Sequence, residues 1–77
     1  MDITYDPRYN IAYIRFRQKR KGVETRQISA EINIDISPDG KVYGIELLNA
    51  KEQLIKEKKI FFTDESTGKV FEVPLKF

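Results

Sequence analysis

Two short segments constrain the fold more than any other part of the chain. In IAYIRFR, residues 11–17, Ala12, Ile14 and Phe16 alternate with Tyr13, Arg15 and Arg17. In EINIDI, residues 31–36, Ile32, Ile34 and Ile36 alternate with Glu31, Asn33 and Asp35. Successive side chains leave a strand on opposite sides, so a period of two marks strands with one buried face. Ser37-Pro38-Asp39-Gly40 follows the second segment and is turn chemistry: proline presets φ, and Gly40 takes the positive φ that closes a hairpin. The returning strand is KVYGIELL. Its Tyr43, Ile45 and Leu47 match the apolar set, and Val42, Gly44, Glu46 and Leu48 form the other face. A glycine inside such a strand marks a bulge or a close backbone approach.

The rest of the chain fits around this frame. DITY at 2–5 is a short strand with Ile3 and Tyr5 on one face, turned at Asp6-Pro7 and Asn10. QKRKG turns the chain again at Gly22, VETRQI is a third strand, and Ser29 and Ala30 mark a bulge or bend before the fourth. Asn49, with Glu52 three positions on, predicts a capped helix of about ten residues. Its apolar stripe is thin, only Ala50, Leu54 and Ile55. KIFFT and KVFEVPLKF predict a last hairpin across residues 64–68, with Phe71, Val73, Leu75 and Phe77 alternating. Pro74 lacks a ladder donor and belongs at an edge. The expected fold is α+β: an antiparallel meander of about five strands, one short helix, and a C-terminal hairpin that completes or extends the sheet.

Composition narrows function by exclusion. The 77 residues make one domain, 1–77, and at this length only about 60% of the unfolded chain's surface can be buried. Without cysteine or histidine the chain has no disulfide, no thiolate nucleophile, no Ser-His or Cys-His pair and no usual zinc set. No cofactor is expected. The absence of a long apolar run and the opening Met1-Asp2 predict neither membrane insertion nor export, hence a cytoplasmic protein. A net charge of +2 gives a weak average field, so local clustering matters more.

Tyr5-Asp6-Pro7, Tyr13-Ile14, Asp39-Gly40 and Gly44-Ile45-Glu46-Leu47-Leu48 together resemble the pattern of the prokaryotic domain-of-unknown-function 2283 family, over residues 3 to about 52. The resemblance implies a small β-rich α+β domain, with no catalytic set to carry over. It also implies, through an association with neighbouring genes for small toxin-like proteins, an antitoxin or partner-binding role. Residues 53–77, the rest of the helix and the last hairpin, lie beyond that pattern.

Three function classes remain. The sharpest charged feature is Tyr13, Arg15, Arg17, Lys19, Arg20, Lys21 and Arg26, a candidate surface for nucleic acid or an acidic partner. Alternation puts Tyr13, Arg15 and Arg17 on one face, where guanidinium groups can meet phosphates and a ring can stack on a base. The competing reading, a solvated hairpin whose charges discourage edge pairing, weighs more at this net charge. Asp35, Asp39 and Gly40 faintly echo a calcium loop but lack its alternating ligands and terminal Glu, so a turn is expected and no metal site. Glu46 beside Gly44 is a candidate buried acid or base, weighed against simple cross-strand pairing with Arg or Lys. Val42, Leu48, Phe61 and Val70 supply apolar surface away from the assigned core and are candidate interface residues. The expected function is a non-enzymatic binding and assembly module, dimeric and acting through a protein partner, with nucleic-acid binding as the alternative and a carboxylate enzyme third.

Overall fold

Two apolar rows cross the sheet in register and set its architecture. The computed structural model describes residues 1–54 and 58–76. Its strands are β1 (Asp2–Asp6), β2 (Ile11–Arg15), β3 (Glu24–Gln27), β4 (Ile32–Ile36) and β5 (Val42–Leu47), followed by α1 (Ala50–Leu54), β6 (Lys59–Asp64) and β7 (Lys69–Pro74). Tyr5, Ala12, Leu47 and Ile32 form one row, and Ile3, Ile14, Ile45 and Ile34 the next. The alternation in IAYIRFR and INIDI thus places the apolar residues of β1, β2, β4 and β5 on a common face, which at the β3 edge carries Glu24 and Arg26.

The fold class is α+β, as the alternation implies. The sheet has five antiparallel strands in the order β1-β2-β5-β4-β3, so the meander is broken once: β1–β2 is one hairpin, β3–β4–β5 a second run, and β5 closes against β2. β6 and β7 do not extend this sheet. They pair only with each other, as a separate two-stranded ribbon whose last paired residue is Pro74.

Two local expectations need correction. The first concerns Val42 and Tyr43. Between Asp35 and Ile36 the β4–β5 register shifts, so that Asp35 pairs with Gly44 but Ile36 pairs with Val42, and Tyr43 becomes the extra residue of a bulge. Val42 therefore shares the apolar face with Ile36. Tyr43, buried, stands apart from the Ala12–Leu47–Ala50 core and lies under the Arg17 guanidinium, 5.4 Å from its ring centre.

The second concerns the helix start. Asn49 has φ 49°, outside the extended conformation of a side-chain N-cap, and contributes its carbonyl, which accepts from the Glu52 and Gln53 amides at 3.0 and 3.2 Å. The side-chain cap comes instead from Asn10, itself at φ 55° in the β1–β2 turn. Its Oδ1 accepts from the Lys51 amide and its Nδ2 donates to Glu52 Oε2, both at 2.9 Å, while its carbonyl accepts from the Ala50 amide. Ile55, and with it the expected length of the helix, lies outside the described residues.

Packing is thin. Ala12, Leu47 and Ala50 form the buried cluster, with Tyr5, Ile14, Ile32, Ile45 and Leu54 partly buried against it. Among the described residues no large side chain is fully buried. The short helix covers one end of the apolar face and leaves Ile3, at 37%, open to solvent, with Ile34, Ile36 and Val42 half-buried; Phe16, at 44%, is exposed in the bend after β2.

Candidate functional site

On the opposite, polar face, β3, β4, β5 and β2 bring Thr25, Asp35, Gly44 and Arg15 into one transverse row. Tyr13, two residues before Arg15, leans diagonally across this row. A side chain on Gly44 would collide with the Tyr13 phenol, so the missing Cβ is what lets the ring lie against the sheet. There its hydroxyl donates to Asp35 Oδ2 at 2.6 Å.

Asp35 is the centre of the network. It is 5% exposed, accepts from Thr25 Oγ1 at 2.5 Å as well as from Tyr13, and pairs with Lys19 Nζ at 3.3 Å. Burial alone raises its pKa, but the Thr25 and Tyr13 hydroxyls and the Lys19 ammonium together hold the carboxyl below its ordinary value. The same arrangement acts on Tyr13 in reverse. Burial, the hydrogen bond to Asp35 and the charge of that carboxylate push the phenol up to about 12.

Because the folded pKa of Tyr13 lies above the ordinary 10.0, its contribution to stability is full below pH 10 and is lost as pH rises towards 12. Chemical denaturation should therefore show wild type losing stability across that window. Tyr13→Phe should lose less over the same range. Equal slopes would mean that the phenol does not hold its proton preferentially in the folded state.

Around this network lies an open cavity of about 310 Å³ lined by Tyr13, Arg15, Arg17, Lys19, Asp35 and Glu46, among others. Four of the seven residues singled out for a charged surface, Tyr13, Arg15, Arg17 and Lys19, thus meet at one place. Arg20 sits beside them, sharing a smaller depression with Arg17, Lys41 and Tyr43. Lys21 is exposed in the turn outside both. Arg26 is separated altogether: it pairs with Ile34, which puts it on the apolar side of the edge strand, where it meets Glu24 at 3.8 Å. The shared cations are not free, since Arg15 reaches Asp2 at 3.8 Å, Lys19 holds Asp35 and Arg17 covers Tyr43.

Glu46 is half-buried and its Oε1 accepts from Asn33 Nδ2 at 2.9 Å, so its cross-strand partner is an amide and not the cation the sequence suggests. Asp39 stays in its turn, taking a hydrogen bond from the Ser37 hydroxyl, and Gly40 adopts φ 87° as the hairpin requires. Among the described residues no group of acidic side chains could hold a metal ion.

The candidate interface residues fall in three places. Val42 is on the open apolar sheet face, and Leu48 is half-buried in the turn after β5, its amide bonded to Glu31 O at 2.9 Å. Phe61 and Val70 are exposed on one face of the ribbon, which they share with the Lys59–Glu72 ion pair. The other ribbon face is more apolar: Phe62 stacks obliquely on Phe71, with Ile60 and Val73 alongside. Alternation in KVFEVPLKF already separates Phe71 and Val73 from Val70; pairing adds Phe62.

No curated protein and no solved structure matches the chain. No helix among the described residues is long and apolar enough to cross a membrane. Residues 2–51, from β1 through the Gly44 strand to the start of α1, match the family described as "Protein of unknown function (DUF2283)". That segment is most of the chain, and the protein belongs to this family.

Proposed function

We propose that this domain is a non-enzymatic assembly module whose first partner is a second copy of itself. The observation that carries the reading is surface. A monomeric protein of 9.1 kDa exposes about 4,900 Å² on the usual mass scaling. This chain exposes 6172 Å². The excess, roughly 1,300 Å², exceeds the roughly 800 Å² that each partner buries in a standard interface. Its radius of gyration, 14.1 Å, likewise exceeds the roughly 11.5 Å expected of a compact chain this long. The apolar part of this surface includes one sheet face, on which Ile3 and the half-buried Ile14, Ile34, Ile36 and Val42 lie together, and Phe16 is exposed in the bend after β2.

Sedimentation equilibrium across micromolar concentrations should give a dimer, and Ile3→Lys with Ile34→Lys should shift it to monomer. A wild-type monomer at high micromolar concentration would rule the reading out.

A second reading has its own observation, the convergence of Arg15, Arg17 and Lys19 on one open cavity of the polar face. In this reading the cations contact the phosphates of single-stranded nucleic acid. Fluorescence anisotropy with single-stranded RNA at low and physiological salt tests it. Each lost phosphate contact lowers the log–log salt slope by about 0.7, so Arg15→Ala with Arg17→Ala should flatten it by up to about 1.4. No binding at low salt would leave the cluster as a solvated, internally paired rim.

A further inference from the structure

We propose that the C-terminal ribbon is an arm that lays Ile60, Phe62, Phe71 and Val73 across the half-buried apolar sheet face of a second copy, over Ile14, Ile34, Ile36 and Val42. This deepens the self-assembly reading and rests on it.

An isolated two-stranded ribbon is marginal in water and needs an apolar face covered by something else. In its own chain this one finds little cover. Its base reaches the sheet, where Pro74 and Leu75 share a cleft with Ile3, Ala12 and Leu54. Further out, Ile60, Phe62 and Val73 only border a wide cleft of about 520 Å³ beside Met1 and Ile3 at the β1 edge. Phe62 remains 65% exposed, Phe71 54% and Val73 53%. The ribbon is therefore anchored at one end, with Phe62, Phe71 and Val73 on its apolar side exposed and Ile60 half-buried.

The sheet has the matching vacancy, and its shape favours an arm over a second sheet. α1 stands on the apolar face at the Ala12–Leu47 end. A helix with its side chains is about 10 Å across, so it occupies the gap that two facing sheets, about 10 Å apart, would need to close. A two-stranded ribbon fits beside the helix. With six residues per strand the arm is about 20 Å long, enough to cross the apolar strands β2, β5 and β4 at about 4.8 Å spacing and end at the Glu24–Arg26 pair on the β3 edge. A two-fold axis makes the exchange reciprocal: each arm covers the other chain's face, and both apolar surfaces disappear in two identical contacts.

The chain contains no cysteine, so introduced thiols report without background. Chains carrying Phe71→Cys and Ile34→Cys, each a single substitution, are mixed and oxidised, and sedimentation of the unsubstituted chain is run alongside. The expected major product is a disulfide between unlike chains. Disulfides only between like chains, with the unsubstituted chain dimeric, would overturn the arm and leave self-assembly standing. A monomeric unsubstituted chain with no cross-link would overturn both. As a second readout, Phe62→Ser with Phe71→Ser removes two exposed side chains and should leave the circular dichroism of the sheet unchanged while weakening the dimer at least tenfold. A double variant that dimerises as tightly as wild type would refute the arm.

Discussion

Gly44→Ala is expected to lower stability by about 2–4 kcal/mol, combining overpacking with the loss of one hydrogen bond. In a domain of this size that is a fall in Tm of roughly 10–30 °C. Gly44, beside the Tyr43 bulge, lies outside the positive-φ set, so its φ does not oppose the substitution, and alanine there would reduce the entropy lost on folding. The cost comes from what the new methyl meets. It would overlap the Tyr13 phenol and come within 2.9 Å of the Ile14 carbonyl oxygen. The carbonyl belongs to the neighbouring strand and cannot move without disturbing the β2–β5 ladder. The phenol can swing away, but only by breaking its bond to Asp35.

Thermal melts of the cycle formed with Tyr13→Ala separate the two contacts. The glycine substitution should cost less by at least about 1 kcal/mol when the ring is absent, and the remainder belongs to the carbonyl. Simple additivity would show that ring and glycine are not packed as described.

What the sequence made legible follows from the length scale of each signal. The strands could be read because alternation is local: Ala12, Ile14 and Phe16 carry their own face assignment wherever the strand lies. The order β1-β2-β5-β4-β3 could not. Alternation says which side of a strand is buried, not which edge pairs with which. The exchange between Val42 and Tyr43 escaped for a related reason, since one extra residue at a bulge inverts every face beyond it, and Gly44 signals only that something irregular or close is present. Its position next to both the bulge and the Tyr13 ring fulfils both meanings. The cap on α1 is supplied by Asn10 across 41 positions of chain, so no window around Asn49 could reveal it. The cation cluster was half legible. Tyr13, Arg15, Arg17 and Lys19 are close in sequence and meet, whereas Arg26 depends on the β3–β4 register, which puts it on the other side. Thr25 gave no signal of its own and acquires a role only as the cross-strand partner of Asp35.

Asp35→Asn is expected to cost about 2–3 kcal/mol at neutral pH, because the carboxylate accepts one hydroxyl on each oxygen whereas the amide accepts on one side only, so one hydroxyl proton loses its acceptor and both bonds lose their charge assistance. Most of that loss belongs to the hydroxyls. Lys19 contributes less, since its side chain is 59% exposed and solvent screens the pair, so Lys19→Met should cost under about 1 kcal/mol. The pH dependence identifies the charge. The folded pKa of Asp35 is lowered from 3.8, so its stabilising effect is complete above that value and is lost as pH falls through the folded pKa. The difference in Tm between wild type and Asp35→Asn should therefore narrow as pH drops below 3.8. Asp6, Asp39 and Asp64 are also lowered and will unfold both proteins in acid, but their effects cancel in the difference. A gap that stays constant down to the acid limit would mean that Asp35 acts by shape and hydrogen bonding alone. A narrowing gap identifies the carboxylate's charge as what holds Tyr13, Thr25 and the basic segment through Lys19 against the sheet.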